Sequence, residues 1–150
     1  MKRITIDNKE YTFEFTIEAS LYDDCTKSVM DLFVKGGMVS GAATDADLDG
    51  AREYLLETIA NLPQKALTLF YAGLLEHHGS EIRSKEDAKK LLATYLKENK
   101  KSFRDVLGDM MGIMGDDNFF DLTGLNQIMT EVTEKETENT KVGKNTSEKK

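Results

Sequence analysis

Ile4-Thr5-Ile6-Asp7-Asn8-Lys9-Glu10-Tyr11-Thr12-Phe13-Glu14-Phe15 is the stretch on which the fold turns. Ile4 and Ile6, then Tyr11, Phe13 and Phe15, alternate with polar residues, the period of a strand with one buried face. Asp7-Asn8-Lys9 between them is turn chemistry, so the stretch predicts a β-hairpin over residues 3–16. A hairpin alone is marginal in water, and its apolar face therefore calls for helices to pack against.

Those helices follow in the pattern. Thr16 stands at a cap position, and Ile17, Leu21, Cys25, Val29, Leu32 and Phe33 recur at helical spacing, predicting a helix over about 17–35 that Gly36 and Gly37 end. Residues 38–44 read as a loop of small residues. Thr44 with Asp47 has capping-box spacing, and Leu48, Ala51, Leu55 and Ile59 continue a stripe over 46–61. Pro63 suits the first turn of a separate helix over 63–78, where a missing N–H costs nothing. Ala66, Leu67, Phe70, Tyr71, Leu74 and Leu75 make that helix apolar over a wide face, which marks it as the central one. Ser84 with Asp87 and Ser102 with Asp105 open helices over 85–98 and 103–115. Residues 116–129 read as a turn plus a short helix.

From Glu131 onward the chain is almost wholly polar and charged, and burial there cannot offset the entropy of ordering. The expectation is one domain over 1–130 followed by a disordered tail over 131–150. The fold class is α+β, mostly α-helical, with the hairpin packed on about five amphipathic helices.

The formal net charge is −7. In the last twenty residues five glutamates are cancelled by five lysines, so the excess acid lies upstream. Phosphate binding needs clustered Lys and Arg, and no run of basic residues with interleaved aromatics is present on this acidic chain, which argues against nucleic acid as a partner. Cys25 is the single cysteine, so no disulfide framework or CxxC motif exists and the chain reads as cytoplasmic. The first residues alternate and lack the apolar core of a signal peptide. The longest apolar stretch, residues 69–75, falls far short of the ~20 needed to span a bilayer, so no membrane insertion is expected.

Asp45-x-Asp47-x-Asp49-Gly50 copies the first half of an EF-hand loop, in which alternating carboxylates converge on calcium. The second half fails: Arg52 occupies the eighth position, Leu56 the twelfth, and Glu57 comes one residue late. The acids suit a helix N-terminus instead, where the macrodipole favours negative charge, and no metal is expected. His77 and His78 are adjacent and point about 100° apart on a helix, unlike an i, i+4 ligand pair. Near a helix end they would complement its carbonyls and dipole. No nucleophile with a base, phosphate loop or paired carboxylate in an apolar run is present, so neither an enzyme nor a cofactor is expected.

Met110, Met111 and Met114, followed by Phe119 and Phe120, are the candidate partner-binding residues. Methionine adapts to varied apolar partners but also fills irregular cores, and Met110 and Met114 continue the core stripe from Phe103.

The order of these parts resembles the tail assembly chaperones of long, non-contractile-tailed bacteriophages and prophages of Gram-positive bacteria. The resemblance rests on the hairpin stretch, the block Leu69-Phe70-Tyr71-Ala72-Gly73-Leu74-Leu75, the helix start Ser84-Lys85-Glu86-Asp87, and Ser102-Phe103-Arg104-Asp105-Val106-Leu107-Gly108-Asp109-Met110. It covers roughly residues 3 to 130 and consists of patterns of size and polarity. Asn8 stands where the family usually has glycine, and the loop from Gly36 to Thr44 is poor in large residues. The resemblance implies a non-catalytic helper in the host cytoplasm, absent from the finished virion. It would coat the tape measure protein, help recruit major tail protein through a longer frameshifted form, and could self-associate. Lys149-Lys150, whose codons are A-rich, would then lie near the slippery site. The alternative role is a structural head-tail connector or tail-completion protein of the virion.

Overall fold

A computed structural model of the chain describes residues 1–40, 48–128, 130, 131, 134 and 135. Strands β1 (Lys2–Ile6) and β2 (Lys9–Phe13) pair antiparallel, with Ile6 opposite Lys9, Ile4 opposite Tyr11 and Lys2 opposite Phe13. Asp7 and Asn8 form the two-residue turn at φ 50° and 61°. A type I′ turn needs positive φ at both central positions, and Asn and Asp tolerate it through their short polar side chains. The pleat gathers Ile4, Ile6, Tyr11 and Phe13 on one face; Ile6 and Phe13 are fully buried, and Phe15 beyond β2 joins them. Arg3, Thr5 and Glu10 occupy the exposed face.

Among the described residues the helices that follow are α1 (Ile17–Leu21), α2 (Asp23–Ser40), α3 (Leu48–His78), α4 (Lys85–Asn99), α5 (Phe103–Asp116) and α6 (Phe119–Leu122). The architecture is thus mostly helical with an N-terminal hairpin packed on helices. Helix α3 touches β2, α1, α2, α4 and α5, the central place that its wide apolar face predicts.

Two expected boundaries are corrected. The helix over 17–35 is two helices, broken at Tyr22, whose backbone is extended (φ −83°, ψ 99°). Tyr22 packs edge-on against Tyr71 with ring centroids 5.5 Å apart, and Asp23 and Asp24 then open α2, where acids favour the helix N-terminus. The break changes the helical phase, so Ala19, Cys25 and Val29 are buried while Ile17 and Leu21 stand 61% and 70% exposed. Thr16 makes no side-chain cap; its hydroxyl donates to Glu76 Oε2 at 2.7 Å. Gly36 and Gly37 do not end α2, which runs on to Ser40. Glycine in a helix costs about 1 kcal/mol relative to alanine and need not stop it.

The second correction joins the helices over 46–61 and 63–78 into α3, with Pro63 inside it. Proline holds a helical φ but cannot donate to the carbonyl four residues back, so the Ile59 carbonyl lacks that bond and the helix continues on either side. Ile59, expected in a buried stripe, is 66% exposed. The expected Thr44–Asp47 capping box lies outside the described residues, as do the side chains of Phe33, Leu48, Ala51 and Leu55.

The core is built on residues 66–74. Ala66, Leu69, Phe70, Ala72 and Leu74 are fully buried. Phe70 meets Phe13 at 4.9 Å between centroids and Tyr95 of α4 at 6.0 Å, separations at which aromatic pairs attract beyond simple burial. Gly73 lets β2 approach: its carbonyl accepts from the Glu14 N–H at 3.0 Å, and a Cβ there would lie 3.0 Å from the Phe13 ring and 3.2 Å from that of Phe15. Ser84 caps α4 by accepting from the Asp87 N–H, although the Asp87 carboxylate accepts from the Arg83 N–H rather than closing a reciprocal box. Ser102 and Asp105 of α5 complete theirs.

The chain divides into a unit over 1–119 and another from 120 on. Among the described residues of the second, a turn with Gly124 at φ +76° follows Leu122, residues 125–128 are helical, and the Asn126 amide donates to Asp121 Oδ1 at 2.6 Å. Where the sequence reads one turn and one short helix over 116–129, the described residues hold two short helical segments, α6 and 125–128, each after a turn.

Candidate functional site

The structure corrects the methionine and phenylalanine patch. Met110, Met114 and Phe119 are each fully buried, and Phe119 packs edge-on against Phe15 at 5.6 Å. Three of the five candidates are therefore core, while Met111 and Phe120 are half-buried. Met110 and Met114 share the inner face of α5 with Val106 and Ile113. The sequence could not assign Phe119, because its burial depends on a contact more than a hundred residues away.

His77 and His78 hold the hairpin. His77 Nε2 lies 2.6 Å from Glu14 Oε2. His78 Nε2 accepts the Thr12 N–H at 2.9 Å, which requires an unprotonated Nε2. Its Nδ1 lies 3.4 Å from Glu81 Oε2, its ring sits 5.1 Å from Tyr11, and Lys9 pairs with Glu81 beside it. Burial, then the charges of Lys9 and His77, lower the His78 pKa, favouring the acceptor form. With the Glu14 bond to Gly73, this ties the outer edge of β2 to the last turns of α3. The pair thus serves hairpin docking rather than the helix carbonyls expected from sequence.

Cys25 is fully buried, and burial pushes its thiol up to about 12, far from nucleophilic range. Asp45 and Asp47 lie outside the described residues; Asp49 falls in the first turn of α3. Among the described residues no three His, Cys, Asp or Glu side chains come together as metal ligands would. Among them, too, no helix is long and apolar enough to cross a membrane.

The apolar surface lies elsewhere. Between α3, α4 and the start of α5 runs an open groove of about 470 Å³, lined by Pro63, Leu67, Leu92, Leu96 and Phe103. Lys85, Glu86 and Lys89 of α4 stand along it. Lys85 reaches Asp24 Oδ2 at 3.3 Å, and Lys89 lies 3.6 Å from Glu86. Beyond the groove α3 carries Leu56 and Ile59 at 62% and 66% exposure, with Ala60 also exposed. Positions 56, 60, 63 and 67 follow the i, i+4, i+7, i+11 rhythm of one helical face. The sequence held a signal for this surface: a stripe running unbroken through Pro63 is what one continuous helix would show. At Tyr95 the hydroxyl donates to Asp109 Oδ2 at 3.2 Å, and Lys101 pairs with the same carboxylate, fixing the α4–α5 corner beside Phe103.

Comparison with protein-family models, with curated proteins and with solved structures returned no match.

Proposed function

We propose that this chain is a tail assembly chaperone of a long, non-contractile-tailed bacteriophage or prophage of Gram-positive bacteria. In this reading it binds apolar helices of the tape measure protein in the host cytoplasm, keeps them soluble, and leaves before the virion is complete. A longer frameshifted form would recruit major tail protein.

One observation carries the reading. The four stretches that resemble the family are those that pack on one another: β2 lies on residues 69–75 through Phe13, Phe70 and Gly73. Tyr95 of the helix opened by Ser84 covers Phe70, and α5, opened by Ser102, packs on α3. A resemblance spread over separate patterns carries more weight when those patterns form one framework. Net charge supports the reading as well, since an acidic chain resists aggregation while it holds an apolar client. Ile17 and Leu21, four residues apart on α1 and largely exposed, are the side chains we assign to client contact.

The test is co-expression with the long helical protein encoded downstream, followed by affinity purification. A soluble complex, with the client insoluble on its own, is the expected outcome. An insoluble client with no bound partner, together with this chain at a fixed ring copy number in purified virions, would replace the chaperone with the connector.

A further inference from the structure

We propose that the groove between α3, α4 and α5 seats a second copy of this chain. In this two-fold pairing Leu56 and Ile59 of each copy enter the groove of the other. The inference does not depend on the chaperone reading.

The argument begins with the continuity of α3. Its exposed apolar side chains and the floor of the groove lie along one face of one helix, Leu56 at one end and Leu67 at the other. At 1.5 Å per residue these ends are roughly 16 Å apart, and the midpoint falls between Ala60 and Pro63. Two antiparallel copies of α3 crossing at that midpoint bring Leu56 of each to the level of Leu67 of the other. One surface then supplies both the projection and the recess, as an isologous interface requires.

Charge follows the same symmetry. Glu53, one turn before Leu56, is exposed; under the two-fold it reaches the level of Phe70 on the other copy. The next residue, Tyr71, donates its hydroxyl to the Arg83 carbonyl at 3.2 Å, just before α4 begins. Of the lysines that line the groove, Lys85 is held by Asp24, while Lys89 is 64% exposed and only loosely paired, 3.6 Å from Glu86. An acidic group beside the projection is therefore matched by the exposed Lys89 beside the recess, on a chain whose net charge of −7 would otherwise oppose self-association. Pro63 suits the crossing point, since its ring adds apolar surface where the two helices come closest.

Sedimentation velocity of the full chain over a range of concentrations reads the equilibrium directly. The wild type is expected to pass from monomer to dimer. Leu56→Asp with Ile59→Asp should leave it monomeric, with an unchanged far-UV spectrum and the melting temperature of the dilute wild type, because both positions are exposed in the single chain. Lys89→Glu should weaken the dimer by about tenfold or more, the effect of losing roughly 1.4 kcal/mol. Adding Glu53→Lys to Lys89→Glu should restore it, which no general loss of fold could imitate. The proposal is overturned by a wild type that stays monomeric well above micromolar concentration. It is equally overturned by a dimer indifferent to the Leu56 and Ile59 changes, by failure of the charge reversal to rescue, or by a groove that takes up only a co-expressed client helix.

Discussion

From residue 66 to 74 helix α3 runs through the core, meeting the hairpin on one side and α4 and α5 on others. From 52 to 61 the same helix carries Leu56 and Ile59 into solvent, although its apolar spacing continues unbroken. The two halves differ in what covers the apolar face and not in the face itself. Periodicity shows which side of a helix avoids water; it does not say whether the cover comes from the same chain. The half covered internally holds the fold, and the half left open is the half available to another molecule.

The sharpest way to break this comparison is to truncate the covered side. Phe13→Ala removes a fully buried ring from against Phe70 and should cost about 3–5 kcal/mol, read as a shift in the urea midpoint. Gly73→Ala probes the same contact from the helix. The new methyl would lie 3.0 Å from one buried ring and 3.2 Å from another. Overpacking costs about 1–3 kcal/mol against a helix-propensity gain of about 1. The variant should therefore be less stable, although the substitution favours helix; a stabilised variant would mean that the rings yield freely.

The docked end of α3 carries a pH dependence. Because the folded-state pKa of His78 is lowered, its contribution is fully present above the unfolded value of about 6.5 and is lost as pH falls through the lower folded value. His78→Ala should cost about 1 kcal/mol near pH 7.5, where the Thr12 N–H loses its acceptor. The gap between wild type and variant should narrow as the pH drops below about 6.5. A constant gap down to the carboxylate range would show that His78 does not act through its neutral form. The smallest effect belongs to the open half: Leu56→Ser and Ile59→Ser, measured on dilute protein, should each change stability by less than about 0.5 kcal/mol.

How far the sequence discloses this depends on the range of the interactions concerned. The hairpin was legible in the alternation from Ile4 to Phe15, and α4 and α5 in Ser84 and Ser102, because turns and caps are decided within a few residues. The break at Tyr22 was not, since it accompanies a contact with Tyr71 that no local pattern encodes. Pro63 misled for a related reason: proline at a first turn and proline within a helix share the same local φ. Phe119 looked available in a stretch rich in Gly and Asp, yet Phe15 covers it from the far end of the unit. His78 reads as a helix-end histidine until β2 presents the Thr12 N–H to it.

Amide hydrogen exchange along α3, recorded at low and high protein concentration, tests the division of this helix most directly. At low concentration amides over 66–76 should exchange only through global opening, while those over 52–61 exchange far faster. Raising the concentration should slow the second group and leave the first unchanged. Equal protection of both halves at every concentration would contradict the account.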